Sequence, residues 1–191
     1  MDAKKTKRMI IRFALYIFAA AYLVTSMRSG EPIRCLPADW IMCEGDVVLL
    51  GSSTMRAKIL KFIDGGTCWL HCGVAVAKDA IVHADPKCGV VRQTMAEYLA
   101  ANNVDCVCLL RPYTGDGKIA TSFALKCAER GVAFDNSFCY GKGDGMYCTE
   151  LVLRAWESAG IEILHVNLGD RVMPSSLARS SRLHCVKERM N

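Results

Sequence analysis

Two apolar runs joined by a two-residue turn limit most strongly how this chain can fold. The first run is WLHCGVAVA, from Trp69 to Ala77, and the second is AIVHA, from Ala80 to Ala84. Only Lys78 and Asp79 separate them, which is too short for a crossover connection between parallel strands. The sequence therefore predicts that residues 69–84 form an antiparallel β-hairpin.

The other apolar segments predict an α+β domain with an antiparallel sheet. Further strands are predicted at the VVLLG run after Asp46, at Val90-Val91, over Val104–Leu110 and over Leu183–Val186. Helices are predicted over Ser52–Ile63, over Thr94–Ala101, from Asp116 to Arg130, from Cys148 to Gly160, and at Pro174. Because a run of strands is followed by a run of helices, this order favours α+β over a βαβ sheet.

The first 34 residues differ in charge from the rest of the chain. The chain has 24 Lys and Arg against 19 Asp and Glu, and seven and two of these, respectively, lie within residues 1–34. The leader therefore carries the whole net charge of +5. Residues 35–191 are neutral overall, which gives no sign of nucleic-acid binding.

An uncharged run, FALYIFAAAYLVTSM from Phe13 to Met27, follows the basic end of this leader. This arrangement is typical of a signal peptide or a short membrane anchor. We therefore expect residues 1–34 to form an apolar N-terminal helix that exports or anchors residues 35–191 as one domain. The domain would then be periplasmic, extracellular or anchored facing outward. An amphipathic or buried N-terminal helix is the alternative.

A glycine-rich loop leads directly into an amphipathic helix in the segment GKGDGMYCTELVLRAW, from Gly141 to Trp156. Cys148 falls where the loop becomes the helix. Its thiol would be close to unpaired N–H groups and to the positive end of the helix dipole, and both favour the thiolate. The segment predicts a nucleophilic cysteine, the alternative being a small buried hydrophobic residue.

Such a nucleophile needs a base, and His71 in the hairpin is a candidate. Because side chains alternate along a strand, His71 and Cys72 are expected on opposite faces, with Val74 and Val76 placing Cys72 on the core face. His71 would then lie on the side that a helix covers. His83 on the next strand is expected to hydrogen bond to the His71 ring. The alternatives are that both histidines are structural, or that His71 faces solvent.

Six segments resemble, in order, the successive blocks of YaeF/YiiX-type proteins, which are permuted papain-like amidases of the NlpC superfamily. They are GDVVLLGSS, LHCGVAVAKDAIVHADPKCGVV, RPYTG, GVAFDNSF, MYCTELVLRAW and VMPSSLARS, and they span roughly residues 45–183. The histidine block precedes the cysteine block, which is the reverse of papain. The resemblance implies a permuted papain-like (NlpC-type) fold, with an antiparallel sheet or partial barrel packed against helices.

The resemblance also implies an active site. It makes Cys148 the nucleophile and His71 the base, and it puts His83 at a third polar position that is usually acidic in the family. The implied activity is a cysteine hydrolase, either an amidase or peptidase or a lipid-type acyl hydrolase. The alternatives are a thiol acyltransferase of the lecithin:retinol type and a catalytically silent binding module.

Three further residues in the matching blocks, Asp46, Tyr147 and Glu150, are expected to contact substrate. Glu150 could equally complement the helix dipole. The expected partners are an amide- or acyl-bearing substrate, such as a cell-wall peptide or a lipid-like molecule, and a membrane through the N-terminal segment. The eleven cysteines include no C-x2-C pair. We therefore expect no metal and no other cofactor, although a metal or redox protein remains an alternative.

Overall fold

The computed structural model describes residues 32–52, 68–102 and 104–190, which hold six strands and four helices. The strands are β1 Val47–Gly51, β2 Trp69–Ala77, β3 Ala80–Asp85, β4 Gly89–Thr94, β5 Cys106–Pro112 and β6 Leu183–Met190. The helices are α1 Met95–Asn102, α2 Gly117–Glu129, α3 Cys148–Ser158 and α4 Pro174–Ala178. The predicted helix over residues 52–63 and the predicted N-terminal helix fall on residues outside these ranges.

All six strands belong to one open antiparallel sheet in the order β4-β3-β2-β1-β5-β6. The predicted hairpin is the β2–β3 pair, in which Val74 lies opposite Val82 and Ala77 lies opposite Ala80. The α+β class and the antiparallel sheet are therefore confirmed. The sheet is an open one, with β4 and β6 as its two edges.

The helix that begins at Cys148 packs against the face of the sheet on which Cys72 lies. Cys72, Val74 and Val76 of β2 share one buried cluster with Leu151 and Val152 of α3. Regular alternation along β2 and apolar spacing along α3 produce this match, since each element presents one continuous apolar side. The prediction that Cys72 faces a core is confirmed.

A second core lies on the opposite face of the sheet and holds α1. Ala75 of β2 and Ile81 of β3 pack there with Tyr98 and Leu99 of α1. The His71 ring is on this side, with its centroid 5.6 Å from that of Tyr98. A helix therefore covers the His71 face, as expected, but this helix is α1, whereas the cysteine-bearing α3 packs on the other face. Periodicity distinguishes the two faces of a strand. Because both faces of this sheet are buried, periodicity could not show which helix covers which face.

Candidate active site

Cys148 is the first residue of α3, as the loop-to-helix pattern predicts. Tyr147 precedes it in an extended conformation and makes no side-chain capping hydrogen bond. The first intrahelical bond runs from the Leu151 N–H to the Tyr147 carbonyl, so the N–H groups before Leu151 precede the helical ladder. The Cys148 side chain is therefore placed at the positive end of the helix, with a relative exposure of 7%.

The pKa of the Cys148 thiol is held well below its ordinary value. The main cause is a hydrogen bond with the Cys72 thiol, and burial acts in the opposite direction. The charge of His71, a hydrogen bond with its ring and a hydrogen bond from Thr149 lower the pKa further. The pKa of Cys72 is raised well above its ordinary value, first by burial and then by Cys148. Of the two thiols, Cys148 is therefore the one that loses its proton more readily.

A chain of three side chains leads away from His71 across the sheet. Nε2 of His71 lies 2.9 Å from Nδ1 of His83, and Nε2 of His83 lies 2.8 Å from Oε1 of Gln93. The amide oxygen of Gln93 can only accept, so His83 carries its hydrogen on Nε2 and accepts at Nδ1. His71 then donates from Nε2, which leaves Nδ1 as its free lone pair. The chain thus fixes which nitrogen of His71 can take a proton.

The end of the β2–β3 pairing allows the two imidazoles to meet. The paired residues end at Val74 and Val82, so His71 and His83 lie where the two strands no longer pair. Their rings are nearly perpendicular, at 89°, and the Tyr98 ring lies 4.6 Å from that of His83. Burial, followed by the charge of His71, lowers the pKa of His83 to about 4. His83 is therefore neutral near pH 7 and able to accept a hydrogen bond.

Gln93 and Tyr98 belong to this arrangement, and the sequence reasoning missed both. Gln93 lies on β4, which extends three residues beyond the predicted Val90-Val91 strand. A signal was available in the alternation along the β3–β4 pair, because Gln93 lies opposite Ile81, two residues before His83. No signal in the sequence pointed to Tyr98, since an aromatic residue on a short helix normally indicates only core packing.

The structure does not bring Asp46 to this group. Its buried carboxylate accepts from Nε and a terminal nitrogen of Arg111, at 2.7 and 2.8 Å, and from the Cys43 N–H at 2.7 Å. It lies just before β1, whereas the partner of His71 in β1 is Leu50. These contacts give Asp46 a structural role, and its predicted contact with substrate remains a prediction.

Tyr147 and Glu150 lie next to Cys148 along the chain, but both side chains are buried. Oε1 of Glu150 accepts from the Gly141 N–H at 3.0 Å and from Nε of Arg154 at 2.8 Å, so it ties the glycine-rich loop to α3. The Tyr147 ring packs 5.6 Å from that of Phe138. Neither side chain is open to a substrate in this structure, and their predicted contact with substrate remains a prediction.

Within residues 32–52, 68–102 and 104–190, no group of three or more His, Cys, Asp or Glu side chains is placed to hold a metal ion. In the same part of the chain, no helix has the length and apolar character needed to cross a bilayer. The leader predicted to be an anchor lies outside that part, apart from its last three residues.

A solved structure resembles this chain in its fold. No protein-family model matches the chain, and no curated protein matches its sequence. Among solved structures, the chain is similar to metalloprotein YiiX from Escherichia coli O157:H7, with a TM-score of 0.65 and 16% sequence identity. The match covers 80% of this chain and 100% of the other. At that identity the likeness shows a shared fold, which agrees with the resemblance found in the sequence blocks.

Proposed function

We propose that this protein is a cysteine hydrolase that cleaves an amide or acyl bond, with Cys148 as nucleophile, His71 as base and His83 as the residue that orients His71. The observation that carries the proposal is the joint placement of a thiol of lowered pKa and a histidine whose tautomer is fixed. A merely structural cysteine would need neither feature, because burial alone raises a thiol pKa.

In the proposed reaction the Cys148 proton has already passed to Nδ1 of His71, so the site starts as a thiolate–imidazolium pair. The thiolate attacks the carbonyl carbon of the substrate, forming a C–S bond and an oxyanion. Backbone N–H groups at the start of α3, beginning with that of Cys148, are positioned to stabilise this charge. His71 then protonates the leaving amine or alcohol. In the second half, His71 takes a proton from water, which attacks the thioester and releases Cys148.

His83 gives this site a neutral orienting group where an acidic residue is usual in the family that the sequence resembles. A neutral imidazole fixes the His71 ring and tautomer through its 2.9 Å contact, but it does not balance a positive charge on that ring. In this protein the Cys148 thiolate is the group that offsets the His71 charge. We therefore expect the thiolate–imidazolium pair to weaken together when either member is replaced.

The first test is selective alkylation of Cys148 by iodoacetamide at a pH of about 6, well below the ordinary thiol pKa of about 8.5. Cys148 should react before the exposed Cys88, which serves as an internal reference. The reaction should slow strongly in His71→Ala and less in His83→Ala. If Cys148 reacts no faster than Cys88, the proposal is wrong. An equal loss in both variants would mean that the two histidine roles are wrongly assigned.

The substrate class is tested by capturing the acyl-enzyme. Incubation with cell-wall peptides and with acylated lipids, followed by acid quench and intact mass measurement, should show an added acyl group on Cys148. Its release by water indicates a hydrolase. Its transfer to an added alcohol or amine acceptor would instead favour the thiol acyltransferase. Failure of every carbonyl substrate to label a reactive Cys148 would favour a silent binding module.

Two further proposals concern metal and location. The YiiX structure is described as that of a metalloprotein, so a metal-binding protein is the second candidate, and stoichiometric zinc in the purified protein would favour it. We also propose that residues 1–34 export the domain 35–191 and tether it to a membrane or are cleaved. A reporter enzyme that is active only after export, fused behind residue 34, should be active. Its retention in the cytoplasm would refute the leader proposal.

A further inference from the structure

A second thiol that the proposed acyl transfer does not use lies beside Cys148. The sulfur of Cys72 is 3.8 Å from the Thr149 hydroxyl oxygen, and the sulfur of Cys148 is 3.9 Å from the same oxygen. Both thiols therefore lie next to the same hydroxyl group. Cys72 has a relative exposure of 0%, so it cannot meet a substrate in bulk solution. Its reactive neighbour is Cys148.

Regular secondary structure fixes this contact. Cys72 is in the interior of β2 and Cys148 begins α3, and both belong to the buried cluster between the sheet and that helix. Thr149, which is fully buried, has its hydroxyl within 3.9 Å of both sulfurs. The thiols are therefore held as neighbours in the resting enzyme, and no rearrangement of a loop is needed to bring them together.

We propose that Cys72 is the resolving thiol of Cys148, so that a hydroperoxide converts the site reversibly into an inactive Cys72–Cys148 disulfide. This inference rests on the proposed function, because it uses the same Cys148 thiolate. The thiolate attacks one oxygen of the hydroperoxide, the O–O bond breaks, and a hydroxide or alkoxide leaves. Cys148 becomes a sulfenic acid, so it has lost two electrons and the hydroperoxide has gained them.

The second step joins the two sulfurs. Cys72 attacks the Cys148 sulfur, an S–S bond forms and the S–O bond breaks. The Cys72 proton goes to the departing hydroxide, which leaves as water. A reducing dithiol returns both cysteines to the free state by thiol–disulfide exchange. Without Cys72, the sulfenic acid would persist and a second hydroperoxide would oxidise it to a sulfinic acid, which dithiols do not reduce.

A second pair of neighbouring thiols, Cys108 of β5 and Cys185 of β6, allows a comparison of reactivity within the same protein. The sulfurs of Cys108 and Cys185 are only 3.6 Å apart. Burial, followed by the hydrogen bond with Cys185, raises the pKa of Cys108, so this pair lacks a ready thiolate at Cys108. Since hydroperoxides react with thiolates, the Cys72–Cys148 pair should oxidise first, although the sulfurs of Cys108 and Cys185 are already in contact.

The test treats the full-length chain with limiting hydrogen peroxide near neutral pH, alkylates the remaining thiols and maps the tryptic peptides. A disulfide should join peptide 62–78 to peptide 143–154. Because the first peptide also contains Cys68, the experiment is repeated with Cys68→Ser, in which the same cross-link should persist. A cross-link that disappears in this variant would assign the bond to Cys68 and overturn the proposal for Cys72.

The deciding measurement is the fate of Cys148 in Cys72→Ser after excess hydrogen peroxide, so that a second equivalent can react with a persistent sulfenic acid. Serine keeps a hydroxyl beside Cys148, so the fold and part of the hydrogen bonding are preserved. Dithiothreitol should restore Cys148 alkylation in the wild type and in Cys127→Ser, a control that removes one buried thiol elsewhere in the same core. In Cys72→Ser recovery should be lost, and the mass should show two or three added oxygen atoms on Cys148.

The outcomes separate the two proposals. If Cys148 is alkylated selectively at low pH but wild type and Cys72→Ser recover equally after peroxide, the resolving role is wrong and the hydrolase proposal stands. If Cys148 is neither alkylated nor oxidised faster than Cys127, both proposals fail, since the site then lacks a reactive thiolate.

Discussion

His83 makes the stability of this protein depend on pH in a direction that the structure fixes. Burial, followed by the charge of His71, lowers the pKa of His83 from 6.5 to about 4. In the unfolded chain the imidazole takes up a proton as the pH falls through about 6.5, whereas in the folded protein it resists protonation until about 4. The unfolded state therefore binds more protons in this window. The stability contribution is fully present above pH 6.5 and is lost as the pH falls through 4.

The magnitude follows from the same two values. Each pKa unit corresponds to about 1.4 kcal/mol, so the free energy of unfolding should fall by about 3 kcal/mol between pH 7 and pH 4 through His83 alone. His83 is almost completely buried, with a relative exposure of 1%, so little of this effect is screened by solvent. The loss would be a large share of the stability of a domain of this size.

The assay compares the wild type with His83→Gln by urea unfolding at several pH values from 7 to 4. Glutamine keeps a polar side chain of similar reach but does not titrate. Other groups, including Asp85 with its lowered pKa, titrate in both proteins, so only the difference between the two curves is interpreted. The wild type should lose about 3 kcal/mol more than the variant. Parallel pH curves would show that His83 is not held neutral by burial, and the proposed tautomer chain would lose its basis.

Three further changes test separate parts of the argument. Gln93→Leu removes the acceptor that sets the His83 tautomer. Alkylation of Cys148 at low pH should therefore slow roughly threefold to tenfold, which is equivalent to one hydrogen bond of about 0.5–1.5 kcal/mol. An unchanged rate would exclude a positioning role for Gln93. Asp46→Ala should lower the free energy of unfolding by about 2 kcal/mol, because it leaves the partly exposed Arg111 without its partner. Alkylation of Cys148 should stay unchanged. Slower alkylation in the folded variant would show that Asp46 contributes to the candidate active site. Gly45→Ala should destabilise by more than about 1 kcal/mol in thermal unfolding, because Gly45 has a φ of +86° and an added Cβ would lie 2.5 Å from the Gly117 Cα; an unchanged melting temperature would contradict this geometry.

The parts of the fold that were predictable from sequence are those with strong local signals. The two-residue turn at Lys78 and Asp79 required a hairpin whatever surrounds it. Asp116 was predicted to cap a helix, and its side chain accepts from the Lys118 N–H at 2.9 Å at the start of α2. The start of α3 at Cys148 likewise needs only the change from a glycine-rich loop to helical spacing. In each case the deciding interaction lies within a few residues along the chain.

The roles of Asp46 and Glu150 could not be predicted in the same way, because their partners are chosen by tertiary structure. Asp46 pairs with Arg111, 65 positions away along the chain, and nothing near Asp46 in the sequence indicates that its charge is already balanced. Glu150 pairs with Arg154 one turn along α3, which spacing allows, but it also accepts from Gly141 across the folded loop. The sequence blocks that resemble the family therefore pointed to these acidic residues without distinguishing substrate binding from a structural role.

The relation between His71 and Cys148 shows most clearly where strand periodicity stops being informative. Alternation correctly placed Cys72 against a core and His71 on the other face, yet α3 packs on the Cys72 face while its first residue still interacts with His71. Both are possible because Cys148 reaches the His71 end of β2, where His71 still pairs with Leu50 of β1 but no residue of β3 pairs with it. The same placement puts Cys148 between a base and a second thiol. The proposed acyl transfer uses the first neighbour, His71, and the proposed disulfide uses the second, Cys72. Because these two residues lie on opposite faces of β2, neither face alone would give Cys148 both partners.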